Sequence, residues 1–577
     1  SYVKVIPEKN MVIGYATNNH GGVPENFRNW FVIVSDTPFE TFSVIDGDNV
    51  AEGNEVAADH ALAMVGFRTK RGQEVNLKVA SSFISAEQAE LNLRELDGKS
   101  FDDVKTACRD RWNEVLGRIA VKDDNIDRLR TFYSCLYRSL LFPRDLSEVN
   151  AEGERVHYSP YNGEVLPGYM TTDTGFWDTF RSLFPLMNLV YPDQSVKVQE
   201  GLVNAWLESG FLPEWASPGH RGCMVGNNSA SVVADAYVNG IRGYDAEKLW
   251  DAVVSGAHSV HPHVSSTGRR GWEYYDSLGY VPCNVGIKEN AARTLEYAYN
   301  DWCIYMFGKA LGKPESELEP YRKAALNYRN LYDPQTGFFR PKDDKGQWIE
   351  PFDPLSYEQP CFIEGNAWQY MWFVPQDPQG LMELMGGRDA FLKKLDENFT
   401  LTATSGERNG NASGFIGQYA HGNEPSHHTV YLYTMAGVPA RTEELVEQVR
   451  TSFYNDTPCG YAGNDDCGQM SAWYIFSAMG FYPVCPGSDQ YVLGAPYLPF
   501  MSITLPNGRK VVIRAEGASD RRRYVKSLRV NGQPYDKLYI SHATLTEGCT
   551  LDFEMSDKPN RKRGLNAAAK PYSMTKD

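Results

Sequence analysis

Residues 461–480 read YAGNDDCGQMSAWYIFSAMG. A polar turn, Gly463-Asn464-Asp465-Asp466-Cys467-Gly468, feeds an apolar run from Met470 to Met479 that Gly480 stops. The run reads as a helix, and a helix apolar nearly all round must be buried. The turn that feeds it then lies at the floor of an interior. Unpaired N–H groups at the helix start favour the ionised forms of the two adjacent acids. Acids held in such a place point to a water-activating base or a metal site. An N-cap turn with surface acids is the plain alternative.

Working outward, helical patterns cover 124–142, 176–191, 195–209, 229–240, 245–257, 289–311, 315–330, 365–374, 387–398, 428–436 and 441–453. With 469–479 that makes about a dozen helices joined by loops rich in Gly, Pro and aromatics. The number fits six helical hairpins closed into an (α/α)6 toroid; a helical solenoid is the other arrangement, and no fixed period supports it. Both flanks read as β. Runs of branched and aromatic residues at 3–6, 11–13, 30–34, 61–67 and 75–79 form a sandwich-like N-terminal portion. Its first strand starts almost at residue 1, so the sheet is expected to take further strands from upstream. Strands return at 491–493, 500–505, 510–514, 526–530 and 550–553, with Asn531-Gly532 as a hairpin turn. The expected division is a β-sandwich portion at 1–85, linking helices at 86–122 (86–96 and 101–119), a catalytic helical domain at 123–486, and C-terminal strands at 487–577. The basic, polar end from Lys558 is expected to be poorly ordered.

The 577 residues carry 57 basic and 73 acidic side chains, a net −16. That argues against nucleic acid or an anionic membrane as the main partner. No apolar run reaches the ~18 residues of a membrane span, and no basic segment with an apolar stretch opens the chain, so any signal peptide is absent or removed. The aromatic content, with 12 Trp and 34 Tyr, suits clefts that stack on sugar rings, and equally a large aromatic core. Ten cysteines form no C-x-x-C pair. Cys108, Cys135 and Cys303 fall in helical patterns and read as small buried hydrophobes. Cys459 and Cys467 flank the central turn at a spacing that permits a bridge.

Three further stretches can carry chemistry. In TDTGFWDTFR (172–181), Trp177 and Asp178 suit a stacked sugar face with a carboxylate on its hydroxyls, or an N-cap at Asp173 or Thr174 before an aromatic core. In CFIEGNAWQY (361–370), Glu364 follows an apolar run; apolar company disfavours its ionised form, as a general acid requires, although a Glu in a first helical turn is also common. In QYAHGNEPSHH (418–428), Asn, Glu and nearby carbonyls suit Ca²⁺ better than zinc, with a capped, hydrogen-bonded loop as the alternative. His258, His261 and His263 read as structural. No nucleophile elbow, phosphate loop or dinucleotide fingerprint is present. Carboxylate chemistry remains, and two separated acids best explain glycoside hydrolysis.

Together FIEGNAWQY, HGNEPSHH, GNDDCGQMSAW, TDTGFWDTFRSLFPL, RTLEYAYNDWC and NLYDPQTGFFRPK resemble glycoside hydrolase family 92. The resemblance implies a Ca²⁺-dependent, inverting exo-α-mannosidase of bacterial glycan use, with an N-terminal β-sandwich packed on an (α/α)6 barrel. It implies Glu364 as general acid and Asp466 as base, with Asp465 or Asn464 orienting the water. It places Ca²⁺ near Asn423, Glu424 and Gln369, and sugar contacts at Trp177, Asp178, Trp368 and His421. The two catalytic carboxyls are expected roughly 6.5–9.5 Å apart. Mannose-containing oligosaccharides or glycoproteins are the implied substrates, in the periplasm, at the cell surface or outside the cell. Two positions depart from the family pattern. His421-Gly422 stands where members with α-1,2 preference have His-Glu, and Asn464 where many relatives have Asp. A sugar-binding protein without turnover, or a phosphorylase or lyase on an α/α toroid, are the other readings.

Overall fold

The computed structural model describes residues 1–19 and 22–576. It is a mixed α and β chain, with an N-terminal β-sandwich, a helical domain and C-terminal sheets. In the sandwich, Glu55–Ala57, Tyr2–Ile6, Met11–Ala16, Asn29–Ser35 and Leu77–Ser82 form an antiparallel sheet in that spatial order. Alternation puts Val3, Val5 and Val12 on one face, where they meet Val44 of a three-stranded sheet, Asn49–Ala51, Thr41–Asp46 and Ala61–Gly66. The opposite face packs Met11 and Val32 on Ala89 of the helix Ala86–Leu93.

The linking helix Phe101–Leu116 starts in a capping box of Ser100 and Asp103 and buries none of its residues. Cys108 is therefore exposed, against the sequence expectation, whereas Cys135 and Cys303 are buried as expected. All ten cysteines are free, so Cys459 and Cys467 are not bridged. The helix also ends earlier than its pattern indicated. Residues Ile119–Lys122 turn into a strand that joins the C-terminal sheet beside Phe500–Thr504.

In the helical domain the first helix, Ile126–Arg138, packs against the last, Gln469–Met479. All eleven residues of that last helix are buried. Its aromatic and aliphatic side chains each contribute about 1.5–3 kcal/mol of burial. The same core continues into the C-terminal sheet through Met501, Ile513 and Leu551. That sheet runs Gln533–Pro534, Tyr524–Val530, Cys549–Ser556, Lys510–Arg514, Phe500–Thr504 and Ile119–Lys122. Asn531 and Gly532 both take positive φ, as a two-residue hairpin of that type demands.

The end of the chain is seated, contrary to the expectation of disorder. Asp377, fully buried, accepts from Ser573 Oγ at 2.8 Å, Thr575 N at 2.8 Å and Thr575 Oγ1 at 2.5 Å. Tyr328 Oη adds a fourth donor at 2.8 Å. Polar composition had signalled a solvated tail, but a buried acceptor elsewhere in the chain captures it. Burial alone would raise the Asp377 carboxyl; these hydrogen bonds outweigh it and hold it below its ordinary value. Its stabilisation is thus present above about pH 4 and lost as pH falls through the depressed folded value. We expect Asp377→Asn to cost about 1–3 kcal/mol near neutrality, and its gap in melting temperature from the parent to close in acid. A gap unchanged at low pH would contradict this account.

Candidate active site

The buried helix fixes the turn ahead of it. Asp465 Oδ1 accepts from Ser471 N at 3.1 Å and Ser471 Oγ at 2.6 Å, tying the turn to the first helical residues. Asp466, Cys467 and Gly468 then take φ of 45°, 58° and 98°. Gly468 has no room for a side chain, because a Cβ there would lie 3.0 Å from Ser139 Cα. The two acids of the turn therefore differ. Asp465 is held by the helix start, and Asp466, in a conformation that L-residues avoid, is not so tied.

Asp466 lines a cavity of about 440 Å³ that also takes in Asp178, Glu364, Glu424, Asn464 and Asp465. These acids come from four separate segments. Asp178 sits in the short helix Phe176–Thr179. Gly175, just before it, packs on Trp215, and a Cβ there would collide with both Trp215 Nε1 and Asp178 Oδ2. Glu364 lies two residues ahead of Asn366, whose side chain caps Ala367–Tyr370 by accepting from Gln369 N. Glu364 has φ 52°, and the lining residue Met224 has φ 61°. Four strained non-glycine residues on one cavity mark a functional site.

Carboxylate oxygens of Asp178, Glu424 and Asp466 all lie within 4.8 Å of one another. Burial pushes Asp178 well up, and the charges of Asp466 and Glu364 push the same way against Arg181. Glu424 is raised by burial, then by the charges of Asp466 and Asp178. Burial raises Asp466 too, against the effect of its neighbour Glu424. Glu364 is also raised, by burial and then by Asp466, against the hydrogen bond that Asn411 Nδ2 donates to it at 2.5 Å.

Next to these acids the structure leaves oxygens unused. Gln369 Oε1, Asn423 Oδ1 and Glu424 Oε1 are buried and accept no hydrogen bond. A Cβ at Gly365 would lie 2.5 Å from Gln369 Oε1 and 3.5 Å from Asn423 Nδ2, so glycine keeps a cradle open there. Buried oxygens with acidic neighbours are the donor set of a hard divalent cation such as Ca²⁺.

Three residues expected at the sugar pack around the cavity instead of lining it. Trp177 is buried and donates its Nε1–H to Glu296 Oε1 at 3.0 Å. Trp368 stacks edge-on with Phe338. His421 is clamped between the hydroxyls of Tyr419 and Tyr454, at 2.8 and 2.7 Å. His427 and His428 contact the carbonyls of His421 and Trp372. Trp215, Arg221 and Asn411 line the cavity without having been singled out. The signal at 215–221 was an aromatic and a cation in a Pro- and Gly-rich loop, with no acid to draw notice.

A model of the glycosyl hydrolase family 92 catalytic domain matches residues 88–557, and a model of that family's N-terminal domain matches residues 1–82. The chain belongs to glycosyl hydrolase family 92. Among solved members of the family, an inverting mannosidase from Bacteroides thetaiotaomicron is 43% identical, with a TM-score of 0.94 over 100% of this chain and 79% of that one. A family 92 α-mannosidase from the same organism, in complex with mannoimidazole, is 32% identical, with a TM-score of 0.89 over 99% of this chain and 76% of that one. A curated relative from Arthroderma benhamiae, described as an uncharacterized secreted glycosidase, is 29% identical over 527 residues, 83% of this chain. The chain spans 60% of that relative's length.

Carboxyls raised on folding oppose it as pH climbs. Their cost is absent below the ordinary carboxylate range and grows as pH rises through the raised folded values. In chelator, Asp178→Asn should therefore stabilise the protein at neutral pH by about 1–3 kcal/mol, read as a higher melting temperature, and flatten the decline above about pH 5. A lower melting temperature would show that Asp178 is a structural acid.

Proposed function

We propose that the chain is an exo-acting α-mannosidase that hydrolyses terminal α-mannosides of glycans with inversion. The observation that carries this reading is one cavity holding Glu364 and Asp466, two acids from separate segments, both in left-handed backbone conformations. Its likeness to two family 92 mannosidases over nearly the whole chain supports the substrate class.

In this reading Glu364 is the general acid. Its raised carboxyl keeps a proton where an ordinary glutamate would have lost it, and it gives that proton to the leaving oxygen. Asp466 is the base. It lines the same cavity as Glu364 on a separate segment, and takes a proton from a water on the opposite face of the sugar. Asp465 keeps the turn in place through Ser471 and acts as a positioning residue. Asp178 accepts from sugar hydroxyls. Trp177, Trp368 and His421 shape the walls from behind.

Gln369, Asn423 and Glu424 would hold Ca²⁺, with their unused oxygens turned to it. Bound there, the ion would supply positive charge and coordinate sugar hydroxyls. The curated relative described as secreted supports an exported enzyme, and among the described residues no helix is long and apolar enough to cross a membrane.

Glu364→Gln should lower kcat by about 10²–10⁴-fold while sugar binding persists. Chelation should abolish turnover and added Ca²⁺ restore it. NMR of α-mannobioses during hydrolysis should show β-mannose as the first-formed anomer. Release of α-mannose first, or full activity in excess chelator, would overturn the inverting and the metal assignments respectively.

A further inference from the structure

Trp215 and Arg221 line the cavity but have no part in the acid–base pair. Backbone pairing fixes Trp215 opposite Gly175, and Arg221 N donates to Trp215 O at 2.9 Å. The Arg221 guanidinium carbon lies 4.7 Å from the Trp215 ring centroid. This stacking holds the guanidinium and leaves its in-plane N–H donors free. Among the described residues no carboxylate or carbonyl takes them.

The buried arginines of the helical domain each face a carboxylate, whereas Arg221 does not. Arg269 pairs with Asp301 at 2.7 Å and Arg340 with Asp333 at 3.0 Å, both buried. Even Arg181 lies 3.7 Å from Glu296. Five acids line the same cavity as Arg221 and none pairs with it, so the wall presents acceptors and donors separately. An oxyanion ligand would satisfy Arg221 but would sit against those carboxylates. A neutral polyol meets both needs, because each hydroxyl both donates and accepts.

We propose that Arg221, held by Trp215, is a specificity-determining residue that donates hydrogen bonds to two neighbouring hydroxyls of the terminal sugar. This rests on the mannosidase reading and names the part of the site that recognises the ring. Losing one side of such a contact leaves a polar partner unmet, which is why hydroxyl recognition discriminates strongly.

The test is a cycle between residue and hydroxyl. Binding of methyl α-mannoside and its 2-, 3-, 4- and 6-deoxy analogues is measured by calorimetry in a Glu364→Gln background, with and without Arg221→Met. Arg221→Met should weaken binding of the parent sugar by about 10- to 100-fold. For the two analogues lacking the contacted hydroxyls, the penalty should shrink to nearly none. Arg221→Lys, which keeps the charge and loses the fork, should fall between, and it replaces the methionine variant if that variant melts early. The same penalty on every analogue, or no penalty at all, would overturn the proposal, as would absence of binding in the Glu364→Gln background. Failure of the parent enzyme to hydrolyse any α-mannoside would instead count against the function, since the binding cycle needs no turnover.

Discussion

One buried amide ties the site together. Gln469, the first residue of the fully buried helix, accepts at Oε1 from Ser182 N at 2.9 Å and Leu183 N at 3.2 Å, two unpaired donors at the start of another helix. Its Nε2 contacts His427 Nδ1 at 2.9 Å. The segment bearing Asp178, the segment bearing Glu424 and the turn bearing Asp466 are thereby anchored to one side chain. Trp473, one helical turn on, adds a hydrogen bond from Nε1 to His427 O at 3.0 Å. Two non-glycine residues in left-handed conformations, Asp466 and Cys467, cost about 1–2 kcal/mol each. Burial of the adjoining helix and the Asp465–Ser471 bonds offset that strain, so the aim of Asp466 is a consequence of core packing some distance from the chemistry.

Much of this frame was legible in the chain. Period and length locate most of the long helices, and the helix at 469–479 could be placed to the residue by its flanking glycines. The stretch at 176–191 breaks into Phe176–Thr179 and Leu183–Val190, those at 365–374 and 428–436 hold only four-residue helices, and Trp272–Leu278 and Pro378–Leu384 were not expected. The strands Thr41–Asp46, Asn49–Ala51 and Glu55–Ala57 were missed, since they are short, half polar and packed among turn residues. Ile119–Lys122 has no local signal to separate it from the helix before it, and only pairing with Phe500–Thr504, far along the chain, makes it a strand. The docked tail follows the same logic, because Ser573 and Thr575 are ordered by a partner far back in the chain, Asp377.

Within the site, residue types were legible and their geometry was not. NDDCG announced acids at a helix start, but which of the two would be tied by the helix depends on the left-handed backbone at 466. The alternative of an N-cap turn with surface acids does not hold, since the N-cap is Gly468 and both Asp465 and Asp466 line the cavity. Trp215 and Arg221 carry no motif, and their place follows from pairing of Gly175 with Trp215.

The contrast between buried acids in this chain separates structural from functional ones. Glu214 is raised to about 7 by burial, yet it accepts from Ser229 N, Ser229 Oγ and Asn227 Nδ2. Asp301 accepts from Tyr275 Oη and pairs with Arg269. Asp235 accepts from Asn188, Asn239 and Gly487 N. In each of these, burial raises the carboxyl although its oxygens meet donors. Around Gly365 the reverse holds. Glu424, Asn423 and Gln369 each leave a buried oxygen unmet, beside carboxyls that raise one another. Buried oxygens of Glu208 and Glu447 are unmet too, so what distinguishes the group around Gly365 is its place beside the clustered carboxyls of Asp178, Glu424 and Asp466. In the proposed reading, a cation and a ring of hydroxyls supply the positive charge and the donors for that group.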